Sequence, residues 1–181
     1  MTDTFFQELE EELQKGTSKK GHPFRYCTLA TVGLQQSARL RTIVLRRAEK
    51  DLKLVFYTDK RSKKIVHIKE NDRVSMLFYY PKKLLQLKVE GSAHIVTDSD
   101  ELQKYWSGVQ PSSRKDYITK SPPGSPLSNP DNVEYFEDKN YFCIVEVSPT
   151  KIEYLKLKRP NHLRVLFTKE NGAWDGKFLV P

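Results

Sequence analysis

The positions of apolar residues divide the chain into one helical segment followed by a long series of strands. Near the start, apolar residues recur every four positions, which predicts an amphipathic helix that ends at about Lys15. Thr2 and Asp3 are its candidate N-cap residues, and Gly16 is its expected stop. Residues 1–20 are therefore predicted to be a helix followed by a linker.

After residue 23, most segments show the two-residue alternation and the β-branched and aromatic content of strands. The connections between them are mostly short enough for antiparallel pairing, and nine candidate segments are expected to give about eight strands. The predicted strand segments are Phe24–Val32, Ala38–Arg47, Leu52–Thr58, Arg73–Tyr80, Leu84–Val96, Phe142–Val147, Lys151–Leu157, Leu163–Thr168 and Trp174–Leu179.

Four segments interrupt the strand pattern. Ser62–Glu70 and Asp98–Trp106 are predicted to be short helices, and Asp131–Asp138 is a third candidate. The Pro-rich stretch Ser121–Pro130 is expected to be irregular. Sequential strands with short helices between them favour a mainly β fold, a small β-barrel with peripheral helices, over a parallel βαβ sheet. No internal repeat or second domain is visible, so residues 1–181 are predicted to form one domain.

Charge is unevenly distributed along the chain. The net charge is +8 over 181 residues, and residues 21–90 hold sixteen Lys and Arg against six acidic residues. The segment before this block has a net charge of −2, and the segment after it is neutral. A basic block fits a nucleic acid, an anionic cofactor, a membrane surface or simply a solvated face.

Composition and motifs exclude several classes of protein. No apolar run approaches the roughly 18 residues of a membrane span, and the acidic N-terminus lacks the features of a signal peptide. Cys27 and Cys143 are too few for a disulfide framework, the four histidines fit no metal spacing, and no GxGxxG, Walker A or GxSxG motif occurs. We therefore predict no metal site and no membrane partner, and we expect a cytoplasmic location.

Basic and hydroxyl residues at strand ends are the strongest remaining signal. In the segment Arg41-Thr42-Ile43-Val44-Leu45-Arg46, alternation places the two outer arginines on opposite faces, although an edge strand with solvated arginines has the same pattern. Further on, a strand ends at Tyr57-Thr58, and Ser62, Lys63 and Lys64 open the following helix. Hydroxyls, ammonium groups and a helix N-terminus suit a phosphate, although a capped surface helix has the same composition.

A third segment, LQLKVEGSA, places the amide of Gln86 in a mostly aliphatic strand. An amide both donates and accepts hydrogen bonds, which suits the edge of a flavin ring, and an exposed strand position explains it equally. The ordered set RTIVLR, FYTDKRSKK and LQLKVEGSA resembles the pyridoxamine 5′-phosphate oxidase family of FMN-binding split β-barrels over about residues 24–100. The closing segment WDGKFLVP and the loop Ser121–Leu127 are also similar to segments of that family.

The resemblance implies an FMN-binding split barrel with a six-stranded antiparallel core. It also implies a homodimer with FMN in clefts between the subunits. Because the flavin carries the redox chemistry, no catalytic acid–base pair is expected. Some relatives of this barrel bind deazaflavin or haem, and the turn at Ser62 favours FMN. The residues implied to bind FMN are Arg41, Thr42, Ile43, Val44, Arg46, Tyr57, Thr58, Ser62, Lys63, Lys64 and Gln86.

Around the substrate, the chain departs from the family pattern. Arg46 stands where family oxidases have a lysine, Gln110 falls near an arginine position, and Leu155 replaces a flavin-side tryptophan. The Arg-x-His-x-Arg pattern of the family is absent from Arg159–Val165, whereas Tyr105 aligns with a substrate-binding tyrosine. Arg46 and Tyr105 are therefore the candidate substrate residues. FMN binding is expected, and oxidation of pyridoxamine phosphate is not.

The sequence leaves three functions open. The favoured one is an FMN-dependent oxidoreductase related to pyridoxamine 5′-phosphate oxidase that acts on an unidentified small molecule. The second is a non-enzymatic FMN-binding protein, such as a store, a sensor or a stress protein. The third and least favoured is a basic barrel that binds nucleic acid, in which aromatic residues from Phe78 to Tyr80 stack on bases beside Lys82 and Lys83.

Overall fold

A computed structural model describes every residue of the chain, except that Lys50 is described by its backbone alone. In the part that it describes, eight strands form one antiparallel sheet. The strands are β1 (Tyr26–Val32), β2 (Ala38–Ala48), β3 (Leu54–Asp59), β4 (Arg73–Tyr80), β5 (Leu85–Ile95), β6 (Phe142–Lys156), β7 (Leu163–Glu170) and β8 (Ala173–Leu179).

The strand order closes a six-stranded barrel. Neighbours along the sheet run β3-β2-β1-β4-β5-β6-β7-β8, and β3 also pairs with β6 over residues 54–59 and 142–147. This pairing closes β1 to β6 on themselves and leaves β7 and β8 as an extension beyond β6. The predicted mainly β fold, an antiparallel barrel with peripheral helices, is confirmed.

The helices cover the ends and one side of the barrel. They are α1 (Asp3–Ser18), α2 (Lys63–Glu70), α3 (Ser99–Ser107) and α4 (Pro111–Arg114). Helix α1 buries Leu9 and Leu13 against the core at the end where β1 begins. Helix α2 contributes Ile65 and Ile68 at the opposite end, where β1 and β3 finish.

The two hydrophobic clusters are separated by the barrel wall. The barrel interior holds the larger one, built from inward-facing strand residues such as Leu29, Phe56 and Phe78. A smaller cluster lies outside β3 and β6, where Val55 and Ile144 pack against the segment that contains α3. Because side chains alternate along β3, this strand contributes to both clusters.

The N-terminal helix begins as predicted, after Thr2, and ends at Ser18 rather than at about Lys15. The helix continues through Gly16 to Ser18. A Cβ at Gly16 would lie 2.9 Å from Phe24, so the glycine serves to let the helix pack closely against Phe24 and does not end it. Thr2 occupies the N-cap position without a side-chain capping bond, and its hydroxyl donates to the Gly176 carbonyl at 3.5 Å.

Two further secondary-structure predictions were wrong. The segments Phe142–Val147 and Lys151–Leu157 belong to the single strand β6, which stays continuous because Pro149 lies at a register shift opposite Gly91. Asp131–Asp138 is not a helix. A single 3-10 turn at Pro130–Asn132 precedes a β-bridge between Tyr135 and Thr119.

Candidate functional site

The barrel is split between β2 and β3. In the part of the chain that the structure describes, their pairing covers only Leu45–Ala48 and Leu54–Phe56. Beyond it, the β3-facing edge of β2 over residues 41–44 and the β2-facing edge of β3 at residues 57 and 58 have no ladder partner. Backbone N–H and C=O groups along this opening are therefore available to a ligand.

A cluster of cations and hydroxyls lies at the α2 end of this split. Lys64 Nζ donates to Thr58 Oγ1 at 2.9 Å, and Thr58 Oγ1 lies 3.4 Å from Ser62 Oγ. Ser62 is the N-cap residue of α2 and makes no side-chain capping bond, so its hydroxyl stays directed at the cluster. Burial lowers the pKa of Lys64, and the nearby charge of Arg41 lowers it further.

The positive charge of this cluster is not balanced by acidic side chains. Within the described residues, neither Arg41 nor Lys64 forms a salt bridge, and burial also lowers the pKa of Arg41. Asp59 is close by, but its carboxylate accepts from the Arg61 guanidinium at 2.6 Å and from the Arg61 backbone N–H at 2.8 Å. Half-buried cations without counter-ions favour an anionic ligand.

Thr31 and His67 lie behind Arg41, and neither is among the site residues predicted from the sequence. Arg41 Nη1 donates to Thr31 Oγ1 at 2.7 Å and to the Leu29 carbonyl at 3.4 Å. Thr31 Oγ1 lies 3.0 Å from His67 Nδ1, and both side chains are buried. The polar position of Thr31 on the apolar face of β1 was a readable signal, whereas no pattern marked His67.

A β-bulge turns two consecutive arginines to the outer face of the barrel. The β2–β3 register shifts between Leu45 and Arg47, so the strict alternation of side chains is broken there. The Arg46 guanidinium lies 5.6 Å from the ring centre of Tyr57, and that of Arg47 lies 3.7 Å from the ring centre of Tyr105. Arg46 Nε is buried without a hydrogen-bond partner among the described residues.

The remaining predicted residues divide between the core and the surface. Ile43 is buried in the barrel core, so only its backbone can contact a ligand, whereas Thr42 is exposed and Val44 half-buried on the outer face of β2. Lys63 is exposed on α2. Gln86 is half-buried on β5, and two strands separate β5 from β2, which is roughly 14 Å along the barrel wall.

The Pro-rich loop is fastened beside the cation cluster. Arg61 donates to the Thr119 and Lys120 carbonyls at 2.8 and 3.1 Å, and its guanidinium stacks 3.4 Å from the ring centre of Tyr141. These contacts hold both ends of the segment 119–141 near the end of β3. The predicted irregular stretch Ser121–Pro130 is exposed and contains no strand or α-helix.

Neither a metal centre nor a membrane span is found in the described residues. They contain no group of three or more His, Cys, Asp or Glu side chains placed to hold a metal ion. No helix among them is long and apolar enough to cross a membrane.

The split antiparallel barrel and its cation cluster define the class of FMN-binding split barrels. Residues 3–97 match the family described as pyridoxamine 5′-phosphate oxidase, FMN-binding domain, and the chain belongs to this family. It is 30% identical over 169 residues to the pyridoxine/pyridoxamine 5′-phosphate oxidase of Aliarcobacter butzleri, covering 85% of this chain and 78% of that one. The oxidase of Zymomonas mobilis is 29% identical over 84% of this chain and 85% of its own length.

Solved structures show the same fold over nearly the whole chain. An FMN-binding protein of Nostoc punctiforme, related to pyridoxamine 5′-phosphate oxidase, superposes with a TM-score of 0.79 and 23% identity, covering 97% of this chain and 96% of its own. PhzG of Burkholderia lata, solved with tetrahydrophenazine-1-carboxylic acid, also gives 0.79 at 17% identity, over 99% and 92% of the two chains.

The residues at the split fit the cofactor of this family. FMN ends in a phosphate, and the cluster of Arg41, Lys64, Thr58 and Ser62 offers charged and hydroxyl donors without a competing carboxylate. The open edge of β2 offers backbone groups beside that cluster. The predicted cofactor, FMN, is confirmed at the level of the family.

Proposed function

We propose that the protein is an FMN-dependent oxidoreductase that acts on a small-molecule substrate. The observation that carries this proposal is the opening between β2 and β3, which has uncompensated cations at one end and Arg46 with Tyr57 at the other. Bound FMN supplies the two-electron redox chemistry, and the protein binds and orients it. Of the FMN-binding residues implied by the sequence, Arg41, Thr58, Ser62 and Lys64 lie at this opening, whereas Gln86 does not.

Different residues hold different parts of the cofactor in this proposal. Lys64, Thr58 and Ser62 bind the phosphate together with Arg41, because the first three are in contact, the charge of Arg41 is close enough to lower the pKa of Lys64, and neither cation has an acidic partner among the described residues. The edge of β2 over residues 42–44 lies along the rest of the flavin, with backbone contacts from Ile43. Lys63, exposed on α2, attracts the phosphate without a fixed contact.

Arg46 anchors the substrate beside Tyr57 and Tyr105. Its buried Nε has no partner among the described residues, so an anionic or carbonyl group of a substrate would satisfy it. Arginine presents a planar fork where family oxidases have a lysine, so the preferred substrate group differs in geometry from theirs. Burial raises the pKa of Tyr57, which keeps its hydroxyl protonated and able to donate.

A second copy of the chain completes the site. Exposed apolar side chains cluster on the outer face of β2, β1 and β4, namely Tyr26, Leu40, Leu77 and Tyr79. Gln86 lies on the same face, too far from β2 to share its ligand within one chain. A two-fold dimer through this face brings Gln86 of one copy to the opening of the other.

Turnover of the bound flavin distinguishes an enzyme from an FMN carrier. The holoprotein is mixed anaerobically with a panel of amine, alcohol and dihydroaromatic acid donors that includes pyridoxamine phosphate, and the flavin absorbance near 450 nm is followed. The proposal expects that at least one donor other than pyridoxamine phosphate bleaches the flavin and that the absorbance recovers when air is admitted. Flavin that no donor bleaches, although dithionite does, would favour the store or stress protein instead.

A further inference from the structure

Thr31 and His67 form a second layer behind the cation cluster. We propose that they are positioning residues for the FMN phosphate, because the Thr31 hydroxyl, held by His67, fixes Arg41 in the orientation that presents its Nε and Nη2 groups to the ligand. The inference rests on the proposed FMN site and names two residues that none of the sequence motifs contains.

The hydrogen bonds of Arg41 determine which of its donors are left for a ligand. A guanidinium carries five N–H groups in a planar fork, and two of them belong to Nη1. Nη1 donates to Thr31 Oγ1 at 2.7 Å and to the Leu29 carbonyl at 3.4 Å. The Nε and Nη2 edge therefore stays available, and this edge can bind a phosphate in bidentate fashion.

The same bonds suit one direction for the contact between Thr31 and His67. Arg41 can only donate, so the Thr31 oxygen accepts from it and its O–H group remains a donor. In the arrangement that we propose, this O–H group donates to His67 Nδ1 at 3.0 Å, and the His67 proton lies on Nε2. Three elements, β2, β1 and α2, are thus linked through one hydroxyl.

The surroundings of His67 keep it in that neutral form. Its ring is buried, and burial lowers its pKa, with further lowering from the charges of Arg41, Arg39 and Lys63. These groups come from β2 and from α2 itself, and all of them are cationic. His67 therefore acts as an acceptor at neutral pH, and its role is to orient Thr31.

Paired substitutions test the inference on the full chain. Thr31→Val removes the hydroxyl at constant shape, and Thr31→Ser keeps it. His67→Leu removes the acceptor, and His67→Gln supplies a carbonyl oxygen instead. Dissociation constants for FMN and for riboflavin, which lacks the phosphate, are measured by quenching of flavin fluorescence. We expect Thr31→Val and His67→Leu to weaken FMN binding roughly tenfold, with Thr31→Ser and His67→Gln close to the wild type.

Riboflavin separates positioning from general damage to the fold. The inference expects riboflavin affinity to be unchanged in all four variants, so the preference for FMN falls only in Thr31→Val and His67→Leu. Equal losses for FMN and riboflavin, or an FMN preference that survives in both variants, would overturn it. If Thr31→Val does not fold, the comparison of His67→Leu with His67→Gln tests the inference without it. A wild-type protein without a preference for FMN would instead refute the proposed phosphate site.

Discussion

At the residue scale, neighbouring lysines at the start of α2 have different roles. Lys64 is half-buried and donates to Thr58, whereas Lys63 is exposed. The sequence predicted both as phosphate ligands, because a run of Ser-Lys-Lys carries no information about which side chain points inward. The helix supplies that information, since consecutive residues are about 100° apart around its axis.

Lys64→Ala is expected to weaken FMN binding by about 1.5–3 kcal/mol, because it removes a charged hydrogen-bond donor from a half-buried site. Lys63→Ala is the matched control and is expected to change the affinity by less than about 0.5 kcal/mol. Fluorescence titration of the flavin-free protein measures both. Equal effects of the two substitutions would contradict the placement of Lys64 in the cluster.

At the element scale, one buried carboxylate helps to attach α1 to the barrel. The Glu12 carboxylate is buried and accepts from Lys83 at 2.8 Å and from His22 at 3.0 Å. Burial alone would raise the pKa of Glu12, but the hydrogen bonds from Lys83, His22 and Lys15 outweigh it and lower the pKa below 4.5. The helix is therefore held by charge as well as by its apolar face.

Glu12→Ala is expected to lower the free energy of unfolding at pH 7 by about 2 kcal/mol, because it leaves the buried ring of His22 without its hydrogen-bond partner and removes the counter-ion of Lys83. Glu11→Ala, next along the helix but exposed, is expected to cost less than about 0.5 kcal/mol. Since the folded pKa of Glu12 is lowered, its contribution is present above pH 4.5 and is lost as the pH falls through the folded value. Urea unfolding at pH 7 and pH 3 measures the free energy of unfolding of the wild type and both variants. A difference between the wild type and Glu12→Ala that is the same at both pH values would contradict the lowered pKa of Glu12.

The register shift between β5 and β6 requires a glycine. A Cβ on Gly91 would collide with the Ser148 carbonyl and lie 2.9 Å from Pro149 Cα. Gly91→Ala is therefore expected to destabilise the fold by about 2–3 kcal/mol. Gly108→Ala, at the end of α3, has a nearest contact of 3.6 Å and is expected to be neutral within about 1 kcal/mol. Thermal unfolding measures the stability of the two variants against the wild type. A Gly91→Ala protein as stable as the wild type would argue against the close contact of Gly91 with Ser148 and Pro149.

The sequence predicted elements better than it predicted their details. Alternation indicated that Arg41 and Arg46 point to opposite faces of β2, because a strand has a fixed period, and the structure buries Ile43 and Leu45 on the face of Arg41. It could not predict the bulge that turns both Arg46 and Arg47 outward, since a bulge depends on the partner strand. The sequence predicted that Gly16 ends the helix, since glycine commonly does so. Its actual role, close packing against Phe24, depends on a contact that exists only in the folded chain.

In the candidate site, the sequence predicted residues that are close together along the chain and missed those that only the fold brings together. Residues near each other in sequence, such as Thr58 and Ser62, were found because one turn brings them together. Thr31 and His67 are 36 residues apart and meet only through the packing of α2 on β1, so local patterns could not pair them. Among the aromatic residues considered for base stacking, Phe78 proved to be fully buried in the core.

At the scale of the whole molecule, the exposed apolar face of β2, β1 and β4 predicts a dimer. Leu77→Lys places a charge at this face and is expected to weaken self-association at least a hundredfold, by about 3 kcal/mol or more. Phe178→Lys, an exposed apolar position on β8 outside that face, is the control and is expected to remain dimeric. Sedimentation across a range of concentrations measures both, and a monomeric wild-type protein would refute the proposed dimer.

The net charge of +8 also belongs to this scale. The basic block of residues 21–90 includes Arg41 and Lys64, but several of its other cations are held in ion pairs, such as Lys83 with Glu12 and Lys53 with Glu146. The cations that lack acidic partners at the split between β2 and β3 are therefore the part of the excess that bears on ligand binding.

The central claim, that this split binds FMN, is tested most directly by the flavin content of the purified protein. Absorbance and native mass spectrometry identify the bound molecule and count it against the chain. We predict FMN at about one molecule per chain, retained in the wild type and depleted in Arg41→Ala/Lys64→Ala. A wild-type protein that carries no flavin and takes up none when FMN is added would contradict the account.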